Sequence, residues 1–457
     1  MRLLKGAVAF ALLAAVASGA TAEPEGFGSA VSNRILKMVQ GRAVPNGLGV
    51  NVHYDDERED DLDLVTAMGF RVIRSDVSWS KVETRQGLYD WSATDSLVAK
   101  SRRRGLLPLL ILAYSNPLYA PTWQGDTGRL DWAFEPPITD RARQAFVAFA
   151  RAAAERYRGQ VIWEVWNEPD LTFGKPARLD SYIRLATESC RAMRAAYPDA
   201  AIVGPASSGF ARGLLEDFIK NDKEACFDAV SVHPYRDSNP ESALRDWQRL
   251  DAIMLKWDRP QTKVAIDSEW GYSVQDGPWT ERRQAEYVLR LYLVDLLAGV
   301  PITIIYDLRN DGPDPRDKEQ NFGLLDADGK PKPVAGALTG MLRELNGLTV
   351  LGKIRTTSDD TAVLVFGAAN RPLKLVAWSL ASRPMRLRLG PELCLEPRLS
   401  TGHKCDSGDA TIRMDPMTLD ISGQPAVFEI QAERCSVPGK AAASFASWCE
   451  SHQRTVR

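Results

Sequence analysis

Short apolar runs alternate with amphipathic stretches from residue 47 to residue 347. Runs rich in Val, Ile, Leu and aromatic residues are typical of buried parallel strands. Between them, apolar residues recur three and four positions apart, which predicts helices, most clearly over 141–157 and 179–197. The predicted strands are 49–54, 72–79, 107–114, 161–167, 201–206, 229–233, 264–269 and 302–307.

Eight strands that alternate with helices predict right-handed βαβ units and a parallel sheet. Their number, within about 260 residues, matches a (β/α)8 barrel. The alternative is an open doubly wound sheet, which would carry a Gly-rich phosphate loop near its first strand, and the sequence has no such loop there. We therefore predict an α/β fold, a (β/α)8 TIM barrel over residues 47–347.

The pattern changes near Leu348, where short alternating segments separated by Gly, Pro, Asn and Asp begin. Such segments predict a small antiparallel β-domain, sandwich-like, over residues 348–435. A module that packs against the barrel is favoured over a sugar-binding one. The polar residues 436–457 are expected to form a C-terminal tail.

The start of the chain has the pattern of a signal peptide over residues 1–22. Arg2 and Lys5 precede an apolar segment that ends in small residues. The apolar segment is too short for a membrane span, and an uncleaved anchor is the weaker alternative. We expect a secreted or periplasmic protein, with a linker over residues 23–46.

The charge balance is slightly acidic. The formal net charge is −2, and loss of Arg2 and Lys5 with the leader would leave −4. Nucleic-acid binding usually needs a strongly basic surface, so no nucleic-acid partner is expected.

Six cysteines in an exported chain predict disulfides rather than metal or redox sites, since no Cys-x-x-Cys spacing occurs. Six cysteines allow 15 pairings, and the sequence does not choose among them. Nearness in the chain favours 394 with 405 and 435 with 449, which leaves 190 with 226. The six residues are Cys190, Cys226, Cys394, Cys405, Cys435 and Cys449.

Two glutamates end predicted strands four and seven. Glu168 ends Val161-Ile-Trp-Glu-Val-Trp-Asn-Glu-Pro169, and Glu269 ends the apolar part of Val264-Ala-Ile-Asp-Ser-Glu-Trp-Gly271. An isolated Glu is more often a helix cap or a surface acid. In a closed barrel, however, both would lie at the carboxyl-terminal mouth, where such barrels keep their active sites. Two carboxylates there are the minimum equipment for glycoside hydrolysis. Glu164 and Asp267 lie deeper and are expected to be structural groups within the barrel.

Other chemistries find little support in the sequence. The four histidines, at positions 53, 233, 403 and 452, show no His-x-x-x-His spacing, so no metal site is expected. There is also no Gly-x-Ser-x-Gly elbow and no phosphate loop. We expect no cofactor.

Several motifs resemble those of the clan A retaining glycoside hydrolases, which have (β/α)8 barrels. Trp163-Glu-Val-Trp-Asn-Glu-Pro169 resembles the acid/base motif of the clan, and Trp79-Ser-Lys-Val-Glu83 with Gly87-Leu-Tyr-Asp-Trp91 and Asp95 resembles its second-strand signature. The segments Tyr306-Asp-Leu-Arg-Asn-Asp-Gly312, Asn321-Phe-Gly-Leu324 and Lys330-Pro-Lys-Pro333 are similar to family 39 and to related bacterial hydrolases associated with exopolysaccharides. The resemblance covers residues 48–345.

The resemblance implies roles for residues of strand two and at the ends of strands four and seven. Glu168 matches the general acid/base and Glu269 the nucleophile. Asn167 matches the residue that hydrogen-bonds the substrate 2-hydroxyl group. Arg74 matches an arginine that supports the nucleophile.

Further candidates surround the sugar pocket that the resemblance implies. His233 and Tyr235 match a sixth-strand pair whose tyrosine hydrogen-bonds the nucleophile, and Tyr306 stands where many clan members carry a tryptophan. His53 is expected either to line the pocket or to be a hydrogen-bonded barrel histidine. Aromatic residues near strand ends that could stack on a sugar are Trp123, Trp132, Trp270, Tyr272 and Trp279, with Trp270 the first choice.

These motifs predict a retaining O-glycosyl hydrolase that cleaves β-linked polysaccharide or oligosaccharide by double displacement, with an exopolysaccharide as one candidate. A transglycosylase that uses the same site is one alternative. A catalytically silent carbohydrate-binding scaffold of polysaccharide export is another, although it would have no chemical need for both glutamates.

Overall fold

The structure is a computed structural model. The structure describes residues 33–54, 59–120, 136–173, 176–258, 261–275, 279–356, 358–368, 371–381, 384–396, 410–430 and 432–436. The predicted signal peptide and, except for Ser436, the predicted C-terminal tail lie outside these residues.

Eight parallel strands form a closed barrel in which each strand pairs with the next along the chain and the last pairs with the first. The predicted (β/α)8 barrel is therefore confirmed. The strands are β1 (Leu48–Asn51), β2 (Val72–Ser78), β3 (Leu107–Ala113), β4 (Ile162–Val165), β5 (Ala201–Ser207), β6 (Ala229–Val232), β7 (Val264–Trp270) and β8 (Thr303–Ile305).

Helices connect the strands and surround the barrel. The amphipathic segments predicted at 141–157 and 179–197 are helical, as Asp140–Arg156 (α5) and Pro176–Ala196 (α7). The helices are α1 (Arg34–Met38), α2 (Glu59–Ala67), α3 (Trp79–Val82), α4 (Ser92–Arg103), α5 (Asp140–Arg156), α6 (Pro169–Thr172), α7 (Pro176–Ala196), α8 (Arg212–Asn221), α9 (Ala243–Trp257), α10 (Glu281–Ala298) and α11 (Pro333–Leu345). Two short 3-10 turns are Pro240–Ser242 and Lys318–Asn321.

Alternation along the strands separates two apolar layers. Side chains at every second position, such as Val72, Ile162 and Ile304, fill the inside of the barrel. The intervening positions pack outward against the helices in a larger core. This alternation follows from the two-residue period of a strand, and it fixes which residues can reach the barrel mouth.

Helix α1 closes the bottom of the barrel. The Asn33 side chain caps it by accepting the N–H groups of Ile35 and Leu36. Ile35 and Val39 are buried against the inner layer of the strands. The expected linker over residues 23–46 is therefore wrong for this part of the segment, because the apolar face of α1 finds a hydrophobic surface that only the closed barrel provides.

Antiparallel strands follow the barrel, as predicted. A seven-stranded sheet has the order β16-β11-β10-β9-β13-β14-β17, and β12 pairs with β15 in a second sheet. Apolar side chains of both sheets share one core. The strands are β9 (Thr349–Ile354), β10 (Thr361–Ala368), β11 (Arg371–Ser379), β12 (Met385–Leu389), β13 (Glu392–Glu396), β14 (Ala410–Met414), β15 (Met417–Ile421), β16 (Ala426–Glu429) and β17 (Ala432–Ser436).

The β-domain packs against the barrel helices through both apolar and charged groups. Trp378 of β11 belongs to the large barrel core and donates from Nε1 to Glu241 at 2.7 Å. Arg290 of α10 binds the same carboxylate with two hydrogen bonds. Lys374 of β11 pairs with Glu344 of α11. These contacts agree with a domain that packs on the barrel.

A disulfide joins Cys190 of α7 to Cys226 before β6, which confirms one of the three favoured pairings. Cys394 is also disulfide-bonded. Its favoured partner Cys405 lies outside the described residues, as does Cys449, so the other two pairings stay predictions.

Among the helices that the structure describes, none combines the length and the apolar character needed to cross a membrane.

Candidate active site

Arg74 is the central cation of the barrel mouth. It projects inward from β2 and is only 1% exposed. Its guanidinium group donates to Glu269 Oε2 at 2.6 Å, to Glu164 Oε2 at 2.8 Å and to Asn167 Oδ1 at 2.7 Å. The expected support of the nucleophile by Arg74 is thus seen as a direct contact. Glu164 lies within the barrel, as expected, and forms the lower half of this ion-pair network.

Glu269 is held from two sides at the end of β7. Besides Arg74, the hydroxyl group of Tyr235 donates to Oε1 at 2.9 Å, and His233 Nδ1 lies 3.9 Å from Oε2. The side chain is 13% exposed. Residues of β2 and of the segment that follows β6 therefore converge on one carboxylate of β7.

The surroundings of Glu269 favour its charged form. Burial acts to raise its pKa, but the charges of His233 and Arg74 and the hydrogen bonds from Tyr235 and Arg74 outweigh burial and lower the pKa below its ordinary value. A carboxylate that stays ionised is what nucleophilic attack on a sugar requires.

A β-bulge in β7 aims Glu269 into the mouth. Asp267 is aligned with Thr303 and Trp270 with Ile305, so three residue steps on β7 face two on β8. Ile266 lies inside the barrel, and regular alternation would turn Glu269 outward together with Asp267. The extra residue reverses the alternation, as bulges beside active sites commonly do.

This bulge corrects two expectations. Asp267 does not lie within the barrel, because it precedes the bulge and faces the helices beside Thr303. Trp270 follows an inward-facing residue, so it also points outward and is 0% exposed in the large core. An aromatic ring without an exposed face cannot stack on a sugar, so the predicted contact between Trp270 and substrate does not fit the structure.

Glu168 is placed by an unusual backbone at the end of β4. Trp166 has φ 71° and Glu168 has φ 46°, both in the left-handed region that non-glycine residues rarely adopt. The Glu168 N–H donates to Ala206 O at 2.9 Å, and Pro169 begins α6 directly afterwards. This irregular turn allows Asn167 to reach Arg74 while Glu168 reaches His233.

His233 connects the two glutamates. Its ring is fully buried, and Nδ1 lies 2.9 Å from Glu168 Oε1. Nε2 lies 3.4 Å from an Arg74 nitrogen, which can only donate, so Nδ1 carries a proton in either charge state of the ring and donates to Glu168. Burial lowers the pKa of His233, but the charges of Glu269 and Glu168 dominate and raise it above its ordinary value.

The two carboxylates lie close together. One oxygen of Glu168, one of Glu269 and one ring nitrogen of His233 all lie within 4.8 Å of one another. Three such atoms could also ligate a metal ion, but Arg74 already places a positive charge against Glu269. The arrangement therefore offers a proton-exchanging group and a charged group facing the same small space.

A second wall of the mouth lies at the ends of β1 and β8. His53 is 41% exposed, and its Nε2 lies 3.7 Å from Asp307, 3.6 Å from Asp311 and 3.5 Å from the hydroxyl of Tyr306. The two aspartates were missed by sequence reasoning. Asp307 directly follows Tyr306 at a strand end, which was an available signal, whereas the position of Asp311 depends on the loop that follows. These groups could bind sugar hydroxyl groups or a cation.

The other aromatic candidates differ in position. Tyr306 is 8% exposed and packs edge-on against Phe322 and His53. Tyr272 and Trp279 stack on each other, away from both glutamates in their contacts. Trp123 and Trp132 lie outside the described residues.

Comparisons with known proteins agree with this barrel. No protein-family model matches the chain. One curated protein, a beta-xylosidase from Geobacillus stearothermophilus, is 30% identical over 112 residues, a match that spans 23% of this chain and only 22% of that protein.

Solved structures match over much more of the chain. A family 39 glycoside hydrolase from the gut symbiont Bacteroides cellulosilyticus WH2 has a TM-score of 0.69 at 22% identity and covers 84% of this chain and 81% of that one. The family 39 enzyme from Xanthomonas axonopodis pv. citri has a TM-score of 0.58 at 16% identity, covering 86% and 95%. A family 39 beta-xylosidase from Caulobacter crescentus has a TM-score of 0.56 at 19% identity, covering 76% and 82%. The resemblance to clan A and family 39 that the motifs indicated is therefore confirmed at the level of the fold.

Proposed function

We propose that this protein is a retaining glycoside hydrolase that cleaves β-glycosidic bonds in a polysaccharide or oligosaccharide. The observation that carries the proposal is the approach of Glu168 and Glu269 oxygens to within 4.8 Å. Retaining enzymes keep their carboxyl groups about 5–5.5 Å apart, whereas inverting enzymes leave about 6.5–9.5 Å for a water molecule. These ranges are separations between whole carboxyl groups, so the approach of two single oxygens is compatible with double displacement, and the hold of Arg74 and Tyr235 on a charged Glu269 supports it.

Glu269 acts as the nucleophile in this mechanism. Arg74 and Tyr235 each hold one of its oxygens, which keeps the group charged and fixes its orientation. Attack on the anomeric carbon forms a glycosyl ester and neutralises Glu269. The leaving oxygen departs with a proton from Glu168.

Glu168 acts as the general acid and then as the general base. His233 occupies one of its oxygens and leaves the other to exchange a proton with the glycosidic oxygen. Once the ester has formed, Glu269 no longer carries a negative charge, and Glu168 can take a proton from the attacking water. Asn167, held by Arg74, is positioned to bind the neighbouring 2-hydroxyl group.

The sugar and the linkage of the substrate are proposed less specifically than the mechanism. Two of the similar proteins are named beta-xylosidases, so β-xylosides are the first substrates to test. The predicted signal peptide leads us to propose that the reaction takes place in the periplasm or outside the cell, with an exopolysaccharide as one candidate.

The proposal is tested by mass spectrometry of the intact protein after incubation with 2-deoxy-2-fluoro-β-glycosides of several sugars, followed by peptide mapping. We expect a covalent adduct on Glu269, and an adduct on another residue would overturn the assignment. No adduct while polysaccharides are still cut would indicate an extended substrate. No adduct together with no cleavage would favour the silent scaffold.

The transglycosylase alternative differs only in the acceptor of the second step. Analysis of the products after addition of a sugar acceptor separates it from a hydrolase. We expect mainly free sugar. Mainly elongated product would show that the protein is a transglycosylase and not a hydrolase.

A further inference from the structure

Two fully buried carboxyl groups lie behind the nucleophile, on the side of β7 that faces the helices. Asp267 precedes Glu269 by two residues, and Asp295 belongs to α10, with 0% exposure for both aspartates. Thr303, which donates to Asp295, lies opposite Asp267 in the pairing of β7 with β8 and so brings the two carboxyl groups together, and each aspartate acts on the pKa of the other. Two carboxylates cannot share a dry contact when both are charged, because like charges side by side strongly disfavour double ionisation. One of the two must carry a proton.

The hydrogen bonds identify which one it is. Asp295 accepts from Trp247 Nε1 and from Thr303 Oγ1, each at 3.0 Å, so each of its oxygens has a donor. Asp267 accepts the Glu269 N–H through Oδ1 at 3.0 Å. Its Oδ2 is buried without any donor among the residues that the structure describes. A hydroxyl group at Oδ2 that donates to Asp295 satisfies both groups.

The electrostatics agree with this assignment. Burial, followed by the charge and the hydrogen bond of Asp295, raises the pKa of Asp267 well above its ordinary value. Glu269 acts in the same direction. Burial raises the pKa of Asp295 too, to about 7, but its hydrogen bonds with Asp267, Thr303 and Trp247 and the positive charge of Arg236 act to lower it, so Asp295 ionises before Asp267. Tyr292 is the other titratable neighbour on α10. A neutral Asp267 and a charged Asp295 therefore fit their surroundings.

The pair is attached to the bulge that aims Glu269. The backbone hydrogen bonds between β7 and β8 are interrupted at the bulge. Asp267 N donates to Ile302 O before it, and Tyr306 N donates to Trp270 O after it. The Glu269 N–H between these bonds is accepted by Asp267 Oδ1 instead of by β8. Asp295 in turn is anchored to Thr303 of β8 and to Trp247 of α9.

We propose that Asp267 is a positioning residue for the nucleophile: as a neutral acid it donates to Asp295 through Oδ2 and holds the Glu269 backbone through Oδ1. The chain of contacts from α9 and β8 through Asp295 and Asp267 fixes the bulge, and the bulge directs Glu269 toward Arg74 and Tyr235. The catalytic consequence rests on the function proposed above, whereas the proton and the placement of Glu269 do not.

Two variants of the full chain separate the effect of the Asp267 proton from the effect of its hydrogen bonds on the position of Glu269. In Asp267→Asn, an amide replaces the acid, and it can donate to Asp295 and accept the Glu269 N–H without a titratable proton. In Asp267→Ala, both contacts are lost. Asp251→Asn is the matched control, because Asp251 of α9 also has a pKa raised by burial but takes no part in the pair.

Infrared spectroscopy at neutral pH detects the proton on Asp267 directly. The spectrum of the unaltered chain minus that of Asp267→Asn should show the carbonyl stretch of a protonated carboxylic acid. A difference spectrum with only carboxylate bands would overturn the proposal. Thermal unfolding adds a second measurement. Because the pKa of Asp267 is raised in the folded chain, folding becomes less favourable as pH rises from the ordinary value of 3.8 through the raised pKa. Over this range the melting temperature should therefore fall more in the unaltered chain and in Asp251→Asn than in Asp267→Asn.

Crystal structures and kinetics of the variants test whether Asp267 positions Glu269. Glu269 should keep its contacts with Arg74 and Tyr235 in Asp267→Asn and lose them in Asp267→Ala. With p-nitrophenyl β-xyloside, kcat should fall about a hundredfold in Asp267→Ala with little change in KM, and Asp267→Asn should recover most of this loss. Equal loss in both variants, or an unmoved Glu269 in Asp267→Ala, would overturn positioning.

Failure of the proposed function gives a different result. In that case no variant, nor the unaltered chain, hydrolyses the xyloside or other aryl glycosides, while the infrared band and the Glu269 contacts still decide the proposal. Should Asp267→Ala not fold, Asp267→Asn and the infrared band carry the test.

Discussion

The ends of β4 and β7 place their glutamates by opposite means. Glu168 lies in a turn with two positive φ angles, one of them its own, and its carboxylate has one described side-chain contact, to His233. Glu269 follows a bulge and is bound by Arg74 and Tyr235 at once. The difference teaches what each role demands, because an acid/base group must gain and lose a proton, whereas a nucleophile must stay charged and in place.

The first way to break this comparison is Glu269→Gln. The amide keeps the size of the side chain but cannot form the glycosyl ester, so kcat should fall on the order of 10⁴-fold. Rates with p-nitrophenyl β-glycosides measure the loss, and circular dichroism shows whether the fold is kept. Hydrolysis at the unaltered rate would remove Glu269 from the mechanism.

Glu168→Ala should produce a smaller and more selective loss, about 10²- to 10⁴-fold. Aryl glycosides with good leaving groups need no acid in the first step, so the glycosyl-enzyme should form and accumulate. Azide should then restore turnover and give a β-glycosyl azide, whereas azide with Glu269→Ala should give the α-anomer. The anomer, determined by nuclear magnetic resonance, sharpens the contrast between the two glutamates, and the same anomer from both would contradict it.

Tyr235→Phe should loosen the hold on Glu269 without removing it. Loss of one hydrogen bond to a charged group is worth about 1.5 kcal/mol, or roughly tenfold in kcat/KM. The Tyr235 hydroxyl lowers the pKa of Glu269, so its removal should move the acid limb of the kcat/KM profile to higher pH. Tyr272→Phe is the matched control, since its hydroxyl donates to Ser238 O instead.

Tyr235→Phe should also change how the free energy of unfolding depends on pH. The lowered pKa of Glu269 stabilises the folded chain above its ordinary value of 4.5, and this stabilisation is lost as pH falls through the lowered pKa. Tyr235→Phe should therefore flatten the acid side of the unfolding free energy, as measured by urea titration. A steeper acid side would contradict the assigned role of Tyr235.

The barrel and its two glutamates could be predicted because their signals are local. A β-branched run such as Val161–Trp166 with a polar end predicts a buried strand and a group at its mouth without knowledge of any neighbour. The resemblance then added Arg74 and Tyr235, and both form hydrogen bonds with Glu269.

The direction of Trp270 and Asp267 could not be predicted because it depends on another strand. The bulge exists only in the pairing of β7 with β8, and a shift of one residue exchanges the inward and outward faces. Likewise, α1 is explained by the barrel bottom that it closes. Asp311 reaches His53 through a loop whose path the apolar pattern does not specify.

The smallest expected effects compare His53 with Trp270. His53→Ala removes an exposed side chain from the wall formed with Asp307, and loss of one hydrogen bond to a sugar should raise KM about threefold, with kcat little changed. Trp270→Phe leaves a small cavity in the core and should cost about 1–2 kcal/mol of unfolding free energy, with KM unchanged because the ring has no exposed face. Aryl glycoside kinetics and urea titration of both variants measure the two quantities. If Trp270→Phe raised KM while His53→Ala did not, the bulge would not direct Trp270 away from the substrate, and the outward alternation after Glu269 would be wrong.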